Sequence, residues 1–235
     1  MIMGKLIDEL DHLCSVKEYT NIGNTLVLRD ETRNFNYSVV IQRETKNEFV
    51  VELPLVKALP INTKDLFKEL ISEIKRKFEL AMAEDENESF ADVISFFSRD
   101  IAGTSSGDIK YLFLSMPHHP SKEFHDCAEQ LCTLRYNSFE LSIDVDMIDI
   151  ALYADAPVNI FYSTLLAILL SSTSGLMISN LSFSFHNCYI LKEKLPKIAE
   201  VIEQDIELSA VKIRIKKPIH DYTDIDEDAL EIEIL

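Results

Sequence analysis

The sequence predicts an α/β (α+β) fold, a mixed pattern of strands and packed helices. Runs rich in β-branched and aromatic residues, such as TLVLRD and FELSIDVDM, alternate with segments of helical periodicity. The most apolar stretch, Pro157 to Ile178, suits a buried helix. The 235 residues are 47% hydrophobic and include only five glycines, which is enough for a sizeable core. This length suits one domain with a sizeable core or two small ones.

The first half of the chain predicts helix, strands and helices in that order. Ile2 to Val16 carries apolar residues at helical spacing and predicts an opening helix. From Thr25 to Leu55, the runs TLVLRD, NYSVVIQR and EFVVELPL are separated by turn residues, which predicts an antiparallel meander. Thr63 to Leu80 and Phe90 to Phe97 are predicted helices joined by the acidic loop AEDENES.

The second half of the chain opens with a predicted loop, GTSSGD, which leads into the strand IKYLFLSM. CTLRY and FELSIDVDM are predicted to form a hairpin around a two-residue turn at Asn137 and Ser138. The remaining predicted elements are a buried helix from Asn159 to about Ser172, a strand from Asn180 to Phe185, a helix from Cys188 to Gln204 interrupted at Pro196, and the strand VKIRIKK.

The charge of the chain limits the classes of binding partner to expect, and its cysteines indicate the cellular compartment. The 23 basic and 40 acidic residues give a formal charge of -17, and the longest basic cluster, Lys212 to Lys217, precedes an acidic tail. Nucleic acid and anionic membranes are therefore not expected partners, because both need a basic surface. The acidic start of the chain and its four cysteines predict a cytoplasmic protein with free thiols. The histidines and cysteines between 118 and 132 match no paired zinc-ligand spacing, so no metal is expected.

Several segments resemble the thymidylate synthase and dCMP hydroxymethylase family, and they occur in the family's order. ALYADAPVNIFYSTLLAIL is similar to the pattern D-x-x-L-G-x-P-F-N-I-A-x-Y-x-x-L, and FHNCYILKEKL resembles D-x-H-x-Y-x-N-H-x-x-x-L. ELPLVKALPINTKDLFKEL, DIKYLFLSMPHHP and VKIRIKKPIHDYTDIDEDALEIE resemble further family segments. The resemblance implies a strongly diverged member that forms one domain over residues 1–235. Its thymidylate synthase-like fold would be a large mixed sheet covered by helices on one face.

The resemblance also implies which residues form the site. Cys132 falls near the family's nucleophile, although Leu131 and Thr133 replace the flanking proline and histidine. Glu69 matches the catalytic glutamate. The ligand-binding positions would be the pyrimidine-reading amide Asn159, the sugar-binding Tyr189, and Asp221. Four of these positions also have a plain structural alternative. Cys132 could be a small buried strand residue, Glu69 an exposed helix residue, Asn159 an amide bonded to backbone and Tyr189 a half-buried helix residue.

The departures from the family argue against its ordinary reaction. Asp146 to Asp149 reads DMID where the family supplies a phosphate-binding arginine, and Thr20 to Thr25 reads TNIGNT where it has a phosphate loop. Asp146 and Asp149 would repel a phosphate, so dUMP is expected to bind no more tightly than about 1 mM. The chain has no tryptophan and no counterpart of the folate-binding segment, and it ends at Leu235 where the family has a closing tail. We therefore expect no cofactor and no conversion of dUMP to dTMP.

Two functions are compatible with these departures. The first is a non-catalytic protein that binds a partner protein or a pyrimidine-like small molecule. The alternative is an active C5 methyl- or hydroxymethyl-transferase that uses Cys132 and Glu69 on an unusual pyrimidine nucleoside or nucleotide. In both cases the resemblance implies a twofold homodimer, because family members pair through the faces of their large sheets. The strands CTLRY, FELSIDV and IKYLFLSM agree with this, since they carry more apolar side chains than one helical layer covers.

Overall fold

A computed structural model describes residues 6–22, 25–30, 34–54, 110–115, 129–137, 139–153, 155–204, 208–219 and 228–235, together with residues 72, 224 and 226. These residues form a mixed α+β protein with three helices and three sheets. The helices are α1 (Leu6–Ser15), α2 (Ala156–Ser174) and α3 (Leu195–Gln204). The strands are β1 (Tyr19–Ile22), β2 (Thr25–Arg29), β3 (Phe35–Ser38), β4 (Ile41–Thr45), β5 (Glu48–Pro54), β6 (Lys110–Ser115), β7 (Glu129–Tyr136), β8 (Glu140–Ile148), β9 (Met177–His186), β10 (Tyr189–Leu191), β11 (Leu208–Ile215) and β12 (Leu230–Ile234).

The largest sheet has five strands in the order β3-β9-β8-β7-β6. Its pairs are antiparallel except for β8 and β9, which run parallel. Parallel neighbours need a crossover connection, and α2 supplies it between β8 and β9. Because α2 also contacts β5, it lies between this sheet and the four-stranded sheet β12-β11-β5-β4.

Helix α2 is buried around its whole circumference, as the sequence predicted. Pro157 occupies its first turn, where a missing N–H costs nothing. Gly175 ends it in the left-handed conformation, with φ of 76° and its N–H bonded to the Ser171 carbonyl. The helix is long and apolar enough to cross a membrane by composition, but 89% of that stretch is buried in the protein. Among the described residues it is therefore the core helix, consistent with a soluble protein.

The two faces of the five-stranded sheet differ sharply in chemistry. Along β8 the side chains of Leu141, Ile143, Val145 and Met147 are buried, and the alternating side chains are half-buried. We call the second surface the open face. Its described side chains are almost all polar: Asn36, Ser38, Thr133, Arg135, Ser142, Asp144, Asp146, Ile148, Asn180, Ser182, Ser184 and His186. The backbone register pairs Phe113 with Thr133 and Leu131 with Asp146, so the apolar surplus expected on the sheet faces stays a prediction.

Glutamates of the four-stranded sheet pair with two cations of the basic cluster, Lys212 and Arg214. Arg214 Nε lies 2.7 Å from Glu48 Oε1, and its Nη1 lies 2.9 Å from Glu231 Oε2. Lys212 Nζ lies 3.7 Å from Glu44 Oε2 and 3.8 Å from Glu48 Oε1. These side chains pair across neighbouring strands, so the two cations do not form an unopposed basic patch.

The predicted meander between Thr25 and Leu55 is wrong, because its strands belong to three sheets. β2 pairs with β1 and β10, β3 pairs with β9, and only β4 and β5 form a hairpin. The run NYSVVIQR is broken at residues 39 and 40, so it supplies two strands. Within TNIGNT, where the family has a phosphate loop, Thr20 to Ile22 belong to β1 and Thr25 begins β2. Turn residues reveal breaks between strands, but they do not reveal which distant strand each one pairs with.

The predicted helix from Cys188 to Gln204 is also wrong in its first half. Residues 189–191 form β10, whose three backbone positions pair with β2. A 3-10 turn at residues 192–194 follows, and α3 begins at Leu195 with Pro196 in its first turn. Proline is tolerated there, so it marks the start of the helix and not an interruption.

The other predicted elements in the described part of the chain are confirmed. The structure contains the opening helix, the strand before Ser115, the β7–β8 hairpin and the strands β9 and β11. The hairpin turn is longer than predicted, because Tyr136 pairs with Leu141 and Asn137 Oδ1 accepts hydrogen bonds from the Phe139 and Glu140 N–H groups. The predicted helices over 63–80 and 90–97 and the GTSSGD loop lie outside the described residues.

Candidate functional site

Cys132 is a core residue on β7. It is fully buried and belongs to the main hydrophobic cluster, with its backbone paired to Val145 of β8. Burial raises the pKa of its thiol well above the usual range, and the carboxylates of Asp144 and Asp146 raise the pKa further. A cysteine nucleophile needs the reverse surroundings, with access to solvent and cationic neighbours that favour the thiolate.

Asn159 lies in the first turns of α2 and is completely buried. Its side-chain Nδ2 donates a 2.9 Å hydrogen bond to the Asp155 carbonyl, which also accepts the Asn159 backbone N–H at 2.9 Å. The amide nitrogen is therefore bonded to backbone one turn earlier, at the start of its own helix.

Tyr189 belongs to a different part of the molecule from Cys132. It is buried on β10 in a small separate cluster with Val27, Ala151 and Leu191. The guanidinium carbon of Arg29 lies 5.5 Å from the centre of its ring, within the range of a cation–π interaction. The Tyr189 ring thus packs against Arg29, which the sequence analysis did not select as a candidate site residue.

Arg29 also forms an ion pair with Asp149. The guanidinium Nη1 lies 3.2 Å from Asp149 Oδ1, and the two side chains are 16% and 30% exposed. The sequence predicted that Asp149 would repel a phosphate, but its charge is balanced by this pair. Asp146, the second expected source of repulsion, lies 3.7 Å from His186 Nε2 and is 44% exposed.

Both parallel strands kink at the same level, next to this cluster. Asp149 follows β8 with φ of 56°, and Asn187 follows β9 with φ of 53°. The Asp149 N–H bonds to the His186 carbonyl at 3.1 Å, and the Tyr189 N–H bonds to the Ile150 carbonyl at 3.1 Å. Asp and Asn tolerate this left-handed conformation better than other side chains. The two kinks let the chain segments continue side by side toward β10.

A shallow pocket lies between α1 and the segments that follow β2 and β8. It is lined by polar and apolar groups and holds roughly one water molecule. His12 Nε2 and Asp30 Oδ2, 3.0 Å apart, form one wall. Burial raises the pKa of the Cys188 thiol to about 12, Glu9 raises it too, and Arg29 opposes them. The lining residues are Glu9, His12, Leu13, Asp30, Phe35, Leu152 and Cys188.

The predicted site residues that the structure describes do not line this pocket. Cys132, Asn159 and Tyr189 are buried elsewhere, and none of them lines it. Glu69 and Asp221 lie outside the described residues. Within the described ranges, no three His, Cys, Asp or Glu side chains converge as metal ligands, and residues 118–127 are not among those ranges.

The open face holds a network of hydrogen-bonded polar side chains. Arg135 Nη2 donates to Asp144 Oδ2 at 2.5 Å and to Ser142 Oγ at 3.2 Å. The other Asp144 oxygen accepts from Ser182 Oγ and from Asn180 Nδ2. Ser184 Oγ donates to Asn36 Oδ1 at 3.1 Å on the neighbouring strand β3. The network around Asp144 spans β7, β8 and β9, the Ser184–Asn36 pair is separate from it, and the side chains of Arg135 and Asp144 are 42% and 35% exposed.

Sequence reasoning missed Arg29 and the network of the open face. Arg29 ends an ordinary β-run, and only the pairing of β2 with β10 brings it over Tyr189. The alternation of polar residues along FELSIDVDM and NLSFSFH was a usable signal for the open face, since a half-buried sheet shows that period. No family model matches this sequence, and no curated protein is significantly similar to it.

Proposed function

We propose that the chain is a diverged thymidylate synthase-like protein that has lost catalysis and acts by binding. The segments that resemble the family support the fold assignment, since they fall on successive elements. ALYADAPVNIFYSTLLAIL covers the start of α2 and the turn before it, FHNCYILKEKL covers the end of β9, β10 and the 3-10 turn, and VKIRIKKPIHDY covers β11. Three free cysteines among the described residues agree with a reducing compartment such as the cytoplasm.

The burial of Cys132 is the observation that supports the non-catalytic function most strongly. An enzyme that attacks a pyrimidine carbon needs a thiolate that the substrate can reach. Here the only cysteine near the family position is fully buried among apolar side chains, and the nearest charges are carboxylates that oppose ionisation. The buried Asn159 and Tyr189 are likewise engaged within the fold, which favours a protein partner over a pyrimidine.

Thiol alkylation tests this proposal directly. The native protein is treated with iodoacetamide, and each cysteine is followed by peptide mass spectrometry. Cys14 is partly exposed and serves as the internal control. We expect Cys14 to react at least roughly a thousand times faster than Cys132, because a core thiol reacts only when the protein opens.

The alternative enzyme makes the opposite predictions. Cys132 would then be alkylated as fast as Cys14 in the folded protein. Deoxyuridine or uridine with methylene-tetrahydrofolate would also show turnover that the Cys132→Ser variant lacks. Either fast alkylation of Cys132 or such turnover would overturn the non-catalytic assignment.

We further propose that the first binding partner is a second copy of this chain, packed through the open face. The face carries both signs of charge, Arg135 on β7 and Asp144 and Asp146 on β8, so a twofold axis can oppose unlike charges. Three exposed apolar side chains, Val40, Phe139 and Met177, lie at the end of the sheet where β8 and β9 begin. They provide the apolar contact that a purely polar interface lacks.

Sedimentation equilibrium at micromolar concentration tests this dimer. Ser184→Arg places a long charged side chain in the middle of the open face and should give a monomer. Glu52→Arg, at an exposed position of the four-stranded sheet, is the matched control and should leave the dimer intact. A wild-type monomer, or a dimer that Ser184→Arg does not weaken, would contradict the proposal.

A further inference from the structure

We propose that two copies of the chain pack antiparallel through the open face, with Arg135 of each copy paired to Asp146 of the other. The inference rests on the proposed dimer and deepens it, because it names the contact that selects a second copy of this chain as the partner. It starts from two unlike charges on one face of one sheet, carried by the neighbouring strands β7 and β8.

Arg135 has binding capacity that the described part of its own chain does not use. Its hydrogen bonds to Asp144 Oδ2 and Ser142 Oγ both come from Nη2. A guanidinium carries five N–H donors in a flat fork, and a carboxylate is the group that matches two of them at once. The side chain is 42% exposed, so a carboxylate from a second chain can reach it.

Asp146 cannot use that capacity within its own chain. Among the described residues its ion-pair contact is His186, whose Nε2 lies 3.7 Å from Asp146 Oδ1, and the aspartate side chain is 44% exposed. The strand register places Arg135 opposite Ser142, four residues before Asp146 on β8. At the rise of a β-strand this is about 13 Å, which is too far for an arginine side chain to bridge.

A twofold axis at one level of the sheet brings the two charges together. Thr133 pairs with Asp144 halfway between the level of Arg135 and that of Asp146. An axis that crosses the strands there reverses the strand direction of the second copy. It lays each Arg135 over the level of the other copy's Asp146, and because the interface is isologous the contact forms twice.

The same axis suits the rest of the described face. Asp144 lies at the level of the axis, and both of its oxygens already accept hydrogen bonds from side chains of its own chain. Further out, the level of Glu140 and Met177 in one copy meets the level of Ile148 and His186 in the other. The 56% exposed Met177 therefore comes to the level of an apolar side chain, and Glu140 to that of a histidine.

Charge reversal at each position tests the pairing in sedimentation equilibrium at fixed ionic strength. Arg135→Glu opposes two carboxylates and Asp146→Arg opposes two guanidiniums, so each variant alone should raise the dissociation constant of the dimer at least roughly tenfold. An equimolar mixture of the two variants should associate again, because every contact then joins unlike charges. Native mass spectrometry of the mixture should show the mixed dimer in excess over either homodimer. Circular dichroism shows whether each variant is folded.

Arg214→Glu is the matched control. It reverses the charge of an arginine that pairs across strands of the four-stranded sheet, away from the open face, and should leave the dissociation constant unchanged. If either Arg135→Glu or Asp146→Arg associates as tightly as the wild type, or if their mixture associates no more tightly than they do alone, the pairing is wrong and the dimer stands. A wild-type chain that is monomeric under all conditions overturns both.

Discussion

The ion pair between Arg29 and Asp149 should contribute far more to stability than the surface pairs of this protein. The test is a double-mutant cycle with Arg29→Met, which keeps an unbranched stem, and Asp149→Asn, which keeps the shape and tolerates the φ of 56°. Unfolding in urea is followed by circular dichroism for the wild type, both single variants and the double variant.

The magnitude follows from the geometry. At the 3.2 Å separation of Nη1 and Oδ1, an effective dielectric constant of about 20 gives a gross attraction of about 5 kcal/mol. Desolvation and lost side-chain freedom offset much of this, since exposed pairs retain at most about 1 kcal/mol. With exposures of only 16% and 30%, and with the Tyr189 ring beneath the guanidinium, we expect a coupling of about 1–3 kcal/mol.

The control cycle uses Arg214→Met and Glu231→Gln, a cross-strand pair whose side chains are 46% and 50% exposed. Its coupling should be several-fold smaller, because water screens both charges. If the coupling at Arg29 and Asp149 is no larger than that of the control, or is below about 0.5 kcal/mol, burial does not strengthen this pair as argued here.

Three further predictions concern single residues. Gly175→Ala should lower the free energy of unfolding by about 1 kcal/mol, measured in urea; nothing lies within 4 Å of the added Cβ, so the cost is the left-handed φ of 76° alone. Cys132→Ser should cost about 1–3 kcal/mol and more than Cys132→Ala, because it buries a hydroxyl among apolar atoms; equal costs would contradict the apolar setting. Burial raises the pKa of Cys188 to about 12 in the folded protein. Its contribution to the free energy of unfolding is therefore complete below about pH 8.5, where the unfolded thiol is also protonated, and is lost as pH rises from there toward about 12. Between about pH 9 and about pH 11 the wild type should therefore lose stability more steeply than Cys188→Ala, by up to about 1.4 kcal/mol per pH unit, in urea titrations at each pH.

The local hydrophobic pattern of the sequence predicted the helix that is buried on all sides and the strand that is buried on one face. The apolar run around α2 and the alternation along β8 each specify one structure, because a helix buried all round and a half-buried strand leave different periods in the sequence. The same signals could not place β10, since YIL is too short for a period. Its strand conformation depends on pairing with β2, about 160 residues earlier in the chain.

The candidate site was harder to predict than the fold. Residue identity at matched positions pointed to Cys132, Asn159 and Tyr189, but chemistry depends on exposure and partners, which identity does not encode. Cys132 and Val145 face the core because their strands alternate with the polar Thr133 and Asp144 on the other side. That alternation was visible in the sequence, and it argued against an accessible nucleophile.

The structure changes the reason why dUMP should bind weakly, without changing the expectation. Asp149 does not repel a phosphate as a lone charge, because Arg29 balances it, and for the same reason Arg29 is not offered to the phosphate. The Asn159 Nδ2 already donates to the Asp155 carbonyl, so its amide can add at most about 1 kcal/mol per remaining bond to a pyrimidine edge. Such gains must offset at least about 4 kcal/mol of lost translational and rotational freedom. We therefore expect a dissociation constant no tighter than about 1 mM, with deoxyuridine binding at least as well as dUMP.

The Asp149→Asn variant separates the effect of the occupied arginine from that of the occupied amide. Because it releases Arg29, it should tighten the binding of dUMP but not that of deoxyuridine, measured by ligand-observed NMR. If wild-type dUMP binds at micromolar concentration and clearly tighter than deoxyuridine, the protein has a phosphate site outside this cluster, and the argument that it has lost its nucleotide fails.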